Sequence, residues 1–244
     1  ERDELAIVEA FLPQPLAGED LETAVQSVVE ELEASPRTVA VDGQPVNVNV
    51  DAFVNGLRNA LYGRASTAWV PYAIHEFAGG NAAPWAAMAD AAGGIMDGIS
   101  FGTLMSVMCG EEEPRLLARG QQPTPTPFND MDLGFWHDAC AVWPAAEPPP
   151  ELDAPVSSDV PALLLSGALD PVTPPQYGEI AAQTLSNARH VIAPFNAHIT
   201  THHGCAPQIF GEFLDTLDPE GLDVSCMEDI GEAPFLLGPA GPTP

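Results

Sequence analysis

The stretch that decides the fold is Val160-Pro161-Ala162-Leu163-Leu164-Leu165-Ser166-Gly167-Ala168-Leu169-Asp170-Pro171-Val172-Thr173-Pro174-Pro175. Its short, continuous apolar run predicts a strand buried on both faces, as parallel strands are. Thr173 and Pro174 mark a helix start, and Tyr177, Ile180, Ala181 and Leu185 give that helix one apolar face. Arg189-His190-Val191-Ile192-Ala193-Pro194 reads as a second strand. A last helix passes through Ile209, Phe210, Phe213, Leu214 and Leu217 and ends before Pro219 and Gly221. Strand, helix, strand, helix is one edge of an α/β sheet.

Upstream the rhythm differs. Residues 20–34 carry Leu21, Val25, Val28, Val29 and Leu32 at helical spacing, and Pro36 stops that helix. Thr38-Val39-Ala40-Val41 and Val46-Asn47-Val48-Asn49-Val50, with Asp42-Gly43 near the turn, predict a small hairpin. Asp51 offers an N-cap for a helix through Phe53, Leu57 and Leu61, and Ala-rich helical segments follow around 66–78 and 84–92. Proline gathers at Gln121–Phe128 and Pro144–Pro155, which predicts loops or a boundary. The expected division is therefore a mainly helical region, 1–145, with a small hairpin, and an α/β segment, 146–244.

Charge narrows the partners. The chain has 35 acidic residues against seven arginines, no lysine, and a formal net charge of −28. Such a surface repels nucleic acid and anionic membranes and suits a cationic group such as a peptide amino terminus. A solvated acidic surface kept for solubility accounts for most of the excess. No apolar run is long enough to span a bilayer. The opening Glu1-Arg2-Asp3-Glu4 is not a signal peptide, so any export signal is expected to have been removed or to lie elsewhere.

Cys109, Cys140, Cys205 and Cys226 form no Cys-x-x-Cys, which argues against zinc ribbons and redox motifs. Two disulfides in any of three connectivities are open, with buried thiols as the alternative. Sequential pairing, Cys109 with Cys140 and Cys205 with Cys226, places one bridge in each half. The expected location is secreted, or in the cell envelope or periplasm, where such bridges persist.

Asp170 and His198 each fall just past the C-terminal end of a predicted parallel strand, the edge where α/β sheets build their sites. One strand-helix-strand unit thus brings them to the same rim. An imidazole acting as general base needs its other nitrogen held by a carboxylate, which fixes the tautomer and stabilises the imidazolium. Singly, either residue reads as an ordinary turn carboxylate or loop histidine. Together, in this context, they read as a catalytic acid and base.

The run Val160 to Pro175 resembles the acid-bearing segment of the tripeptidyl-aminopeptidase-like α/β-hydrolases, a group allied to the proline iminopeptidases. The resemblance continues through Arg189-His190 to His198, Gly204-Cys205, Pro219-Glu220-Gly221-Leu222-Asp223 and Ser225-Cys226. Upstream, Ser106-Val107-Met108-Cys109 and Cys140-Ala141-Val142-Trp143-Pro144 resemble the family's helical cap and its return to the sheet. The likeness is specific over 100–235 and looser before. It implies a partial α/β-hydrolase fold preceded by a helical cap, with Asp170 as triad acid, His198 as base, and an exopeptidase or esterase-like activity without a cofactor. The order Asp then His is that of the α/β-hydrolases. One position departs from the pattern: the family's glycine after the histidine is Ile199 here.

Such an enzyme needs a serine on a sharp strand-to-helix turn. Gly98-Ile99-Ser100-Phe101-Gly102 has the letters, but an Ala-rich helical pattern precedes it and little chain follows it before Gly110-Glu111-Glu112-Glu113-Pro114. Ser100 is therefore read as a chance match, and the elbow and first strands are expected on polypeptide upstream of Glu1. Glu111 and Glu112, in the cap-like segment, could bind a substrate's free amino terminus; a solvated loop is the plainer reading. Two other classes compete: a non-catalytic interaction module of hydrolase descent, and a metal site built from His198, His202, His203 and Cys205. The second lacks a nearby carboxylate, and His75-Glu76 lacks the second histidine of a zinc-protease motif. No metal is expected.

Overall fold

In the computed structural model, which describes residues 19–41, 44–118, 133–146, 148–239 and 241, helix α1 spans Glu19–Ala34. Strands β1 (Arg37–Val41) and β2 (Gln44–Val48) pair antiparallel, Arg37 opposite Val48 and Val41 opposite Gln44. The predicted Asp42-Gly43 turn lies outside the described residues, as does the Gln121–Phe128 proline stretch. Helix α2 (Val50–Ala60) is capped by Asn49, whose side chain accepts from Ala52 N–H, and not by Asp51 as its type suggested. The hairpin ends at Val48, so the register hands the cap to Asn49 and leaves Asp51 in the first turn, favourable to the helix dipole.

Short helix α3 (Arg64–Thr67), α4 (Val70–Ala78) and α5 (Ala83–Asp97) follow. The apolar faces of α1, α2, α4 and α5 meet in one core: Val28, Leu32, Phe53, Ile74, Phe77 and Trp85 are all buried. Burying each such side chain contributes about 1.5–3 kcal/mol. Phe53 and Phe77 pack tilted with ring centroids 4.9 Å apart. Gly56 lets α2 lie directly under Trp85, since a Cβ there would press into the indole.

The α/β segment forms the expected unit. Strand β3 (Ala162–Gly167), helix α9 (Pro175–Ala182), strand β4 (Ala188–Ala193) and helix α10 (Ala206–Thr216) follow in order, the numbers α6–α8 belonging to the intervening segment described below. β3 and β4 pair in parallel, Ala162 beside Ala188 and Gly167 beside Ala193. Helix α9 ends before Leu185, which instead bridges Ser158. A second core gathers Val191, Ala193, Ile209, Leu222 and Met227 between β4, α10 and the C-terminal turns. The expected double-sided burial of the Leu163–Leu165 run is corrected: only Gly167 of β3 is fully buried. Among the described residues β3 lies in a two-stranded sheet, and a strand is buried on both faces only where helices or a second layer cover each side.

Three-dimensional contacts divide the chain into two compact units, Glu1–Ala92 with Val156–Pro244, and Gly93–Pro155. This differs from the sequence-based division at 145/146, because the first helices pack into one body with the α/β segment. Arg64 Nη2 donates to Gly231 O, and Leu236 N–H donates to Ala68 O. Taken by itself, the second unit runs through α6 (Phe101–Val107), a π-helical turn Met108–Glu112, α7 (Glu113–Ala118) and α8 (Leu133–Val142). Cys109–Cys140 ties its π-turn to α8, and Cys205–Cys226 closes the other body, with Cα separations of 5.0 and 6.2 Å. Among the described residues, no helix is long and apolar enough to cross a membrane.

Candidate active site

The ends of β3 and β4 are fastened together past the strands. Ala168 N–H donates to Ala193 O, and Leu169 N–H donates to Asn196 O. Gly167 allows this approach, for a Cβ there would collide with the carbonyls of Ala197 and Asn196. The two loops leaving the sheet are thereby held edge to edge, and Asp170 stands on one and His198 on the other.

His198 Nδ1 lies 2.9 Å from Asp170 Oδ2. The Asp170 side chain is only 5% exposed, that of His198 26%. Asp170 Oδ1 accepts from Val172 N–H at 2.8 Å and Thr173 N–H at 2.9 Å, the geometry of an Asx turn closed by Pro171. Thr173 Oγ1 donates to Oδ2 at 2.9 Å and also lies 3.4 Å from His198 Nδ1. Burial alone would raise the Asp170 pKa. The backbone donors of Thr173 and Val172, with the His198 ring and the Thr173 hydroxyl, outweigh it and hold the carboxyl below the ordinary aspartate range. It therefore stays ionised at neutral pH and accepts from Nδ1–H, which directs the Nε2 lone pair to proton transfer.

Tyr62, just past α2, sets its ring edge-on to His198 with centroids 5.1 Å apart. Immediately after the histidine, Ile199 takes the left-handed conformation, φ 61° and ψ 76°. That is the place where the resembling family has glycine. The backbone is left-handed here and a β-branched residue bears it, at a cost of about 1–2 kcal/mol. Phe195, at φ 51°, bends the same loop on the other side of the histidine. Between them, Asn196 is fully buried with neither amide atom partnered.

The other sequence candidates lie elsewhere. Glu111 and Glu112 stand on the π-turn of the second unit, both beside Arg115, at 3.9 and 3.0 Å. Ser100 precedes α6 with φ −69° and ψ 98°, follows a helix and not a strand, and accepts from Thr103 Oγ1. It has none of the strain or strand context of a nucleophile elbow. Cys205 is bonded to Cys226, so its thiolate is not free for a metal. Among the described residues no three His, Cys, Asp or Glu side chains gather as a metal shell. His203 is held below the ordinary histidine range, first by burial, then by the charges of Arg64 and His202. Thr173 was findable from sequence, since Asp-Pro-x-Thr is an Asx-turn signature. Tyr62 and Asn196 carried no such signal.

A buried carboxylate orienting an imidazole at the C-terminal rim of a parallel strand-helix-strand unit can fix a tautomer and leave one ring nitrogen free to move a proton. Residues 126–226 match the family model described as TAP-like protein, of the α/β-hydrolase class, the region in which the sequence resembles such hydrolases. Asp170, His198 and three of the four cysteines fall within it. No curated protein and no solved structure matches the chain.

Proposed function

We propose that this chain supplies the acid and base of a serine peptidase that removes residues from the amino terminus of peptides. The observation that carries the reading is the 2.9 Å contact between His198 Nδ1 and a buried, triply supported Asp170. In this reading a serine hydroxyl attacks the scissile carbonyl and His198 Nε2 takes its proton. Backbone N–H groups stabilise the oxyanion. His198 then protonates the leaving amine, and water, deprotonated by the same nitrogen, releases the acid from the acyl-enzyme.

The nucleophile and its strands belong, in this proposal, to polypeptide outside this chain, which is inactive alone. The half-covered β3 and the exposed Leu169 and Ile192 support a sheet that continues. Residues 1–145 would form the lid; the packing of Tyr62 against His198 supports contact between the helical region and the site. Glu111 and Glu112 would meet the substrate's ammonium, in keeping with the acidic surface. Two disulfides are compatible with a secreted or cell-envelope location.

The test is labelling with a serine-directed fluorophosphonate. No label is expected on this chain alone, whereas a longer polypeptide including the upstream coding sequence should label at a new serine, at a rate that falls about a hundredfold or more when His198 is replaced by Ala. Labelling at Ser100 would overturn the placement, and an unreactive longer protein would favour a non-catalytic module. In the complete enzyme, Glu111→Gln or Glu112→Gln should raise KM about tenfold for free-amine peptides and spare N-blocked ones; equal effects on both would dismiss the amine contact.

A further inference from the structure

A cavity of about 410 Å³ opens between α3, Trp69 just ahead of α4, α5 and the turn after His198. Its volume is that of a small-molecule site, about 300–1,000 Å³. Trp69, Met88, Ala87 and Ala91 give it apolar walls, and Arg64 and His203 also line it, near enough to each other that the guanidinium charge acts on the imidazole. The remaining polar side chain, Ser66, is already spent on the carbonyls of Ala60 and Gly63. The chain has 35 acidic residues, yet among the described residues no carboxylate lines this cavity.

Arg64 is incompletely satisfied there. Its Nη2 donates to Gly231 O, but Nε is buried with no partner. Glu232 lines only a separate cavity of about 50 Å³ that Arg64 also borders, and among the described residues it forms no ion pair with the guanidinium. That Nε exposes no surface to the cavity; a ligand there would meet a guanidinium whose partner Gly231 O is neutral, and a charge-assisted bond to an anion is roughly twice as strong as one to a neutral group. A cationic end and an apolar body define a ligand of opposite end-charge and like body.

We propose that this cavity binds a small apolar monocarboxylate, with Arg64 and His203 holding the carboxylate and Trp69 and Met88 enclosing the hydrocarbon. The site is separate from the amine recognition suggested for Glu111 and Glu112 and does not depend on Asp170 and His198 being catalytic.

Binding of 4-phenylbutyrate, 4-phenylbutanamide and 4-phenylbutylamine to the full chain, measured by calorimetry and tryptophan fluorescence, tests it. The acid should bind saturably and at least tenfold more tightly than the amide, and the amine least. Arg64→Gln should remove that preference while leaving amide binding within twofold, and Met88→Trp should abolish both by filling the space. Equal affinity for acid and amide, or no saturable binding of the acid, overturns the proposal. So does an acid preference that persists in both Arg64→Gln and His203→Gln. Because Arg64 also ties down Gly231, a variant that fails to fold leaves the wild-type comparison of the three ligands decisive by itself.

Discussion

Asp170 carries more donors than a turn needs, and its ionised state is therefore built into the fold. Its folded pKa lies below the unfolded value of about 3.9, so it contributes stability above that pH and loses the contribution as pH falls through the folded value. Asp170→Asn should cost about 2 kcal/mol at pH 7, and the difference from the natural protein should shrink toward pH 2.5. Urea unfolding at the two pH values measures this; a cost independent of pH would contradict it. Ile199 makes the opposite case. It is 54% exposed, so little packing is lost when its side chain goes, and glycine accepts φ 61° without penalty. Ile199→Gly should stabilise the chain by about 1 kcal/mol, read from the urea midpoint at constant slope. Asp170 and His198 were legible in the sequence because strand ends and residue types coincide there. The left-handed turn at Ile199 was not, because a β-branched residue is the last type expected at such a position.

At the scale of elements, the site is a property of how two strands end. β3 and β4 run in register to Gly167 and Ala193 and then stay joined for several residues, with no room between them at Gly167. Gly167→Ala should therefore push apart the loops bearing Asp170 and His198. The expected outcome is a loss of more than about 2 kcal/mol of stability together with loss of the low Asp170 pKa, followed by NMR titration of the carboxyl. A variant of natural stability and unchanged titration would show that the close approach does not position the pair. Both strands and α10 were readable from apolar runs, glycine and proline. The N-cap was misread because Asn49 and Asp51 are equally good capping residues by type, and only the hairpin's end point selects between them. The burial of β3 was misread for a related reason: an apolar run reports the environment a strand is suited to, while its actual cover depends on neighbours the run does not specify.

At the scale of the molecule, the helices of the first ninety residues join the α/β segment in one body, a contact no local pattern predicts. Tyr62 against His198 and Arg64 against Gly231 are products of that packing, and their partners lie too far along the chain for spacing arguments to find. The Cys205–Cys226 bridge closes a loop of 21 residues around α10 in the same body. Replacing both cysteines with serine should cost about 3 kcal/mol by loop-closure entropy, measurable by chemical denaturation against the natural, oxidised chain. An effect below 1 kcal/mol would mean that the unfolded loop is already ordered.

The fastening beyond Gly167 and Ala193 has an implication for the life of the polypeptide. Asp170 and His198 follow consecutive strands within a single crossover, and the hydrogen bonds that join their loops fall within residues 168–198. A protease that nicks the chain ahead of Ala162 would leave those bonds uncut, so the two side chains should stay paired for as long as the cleaved pieces remain packed together.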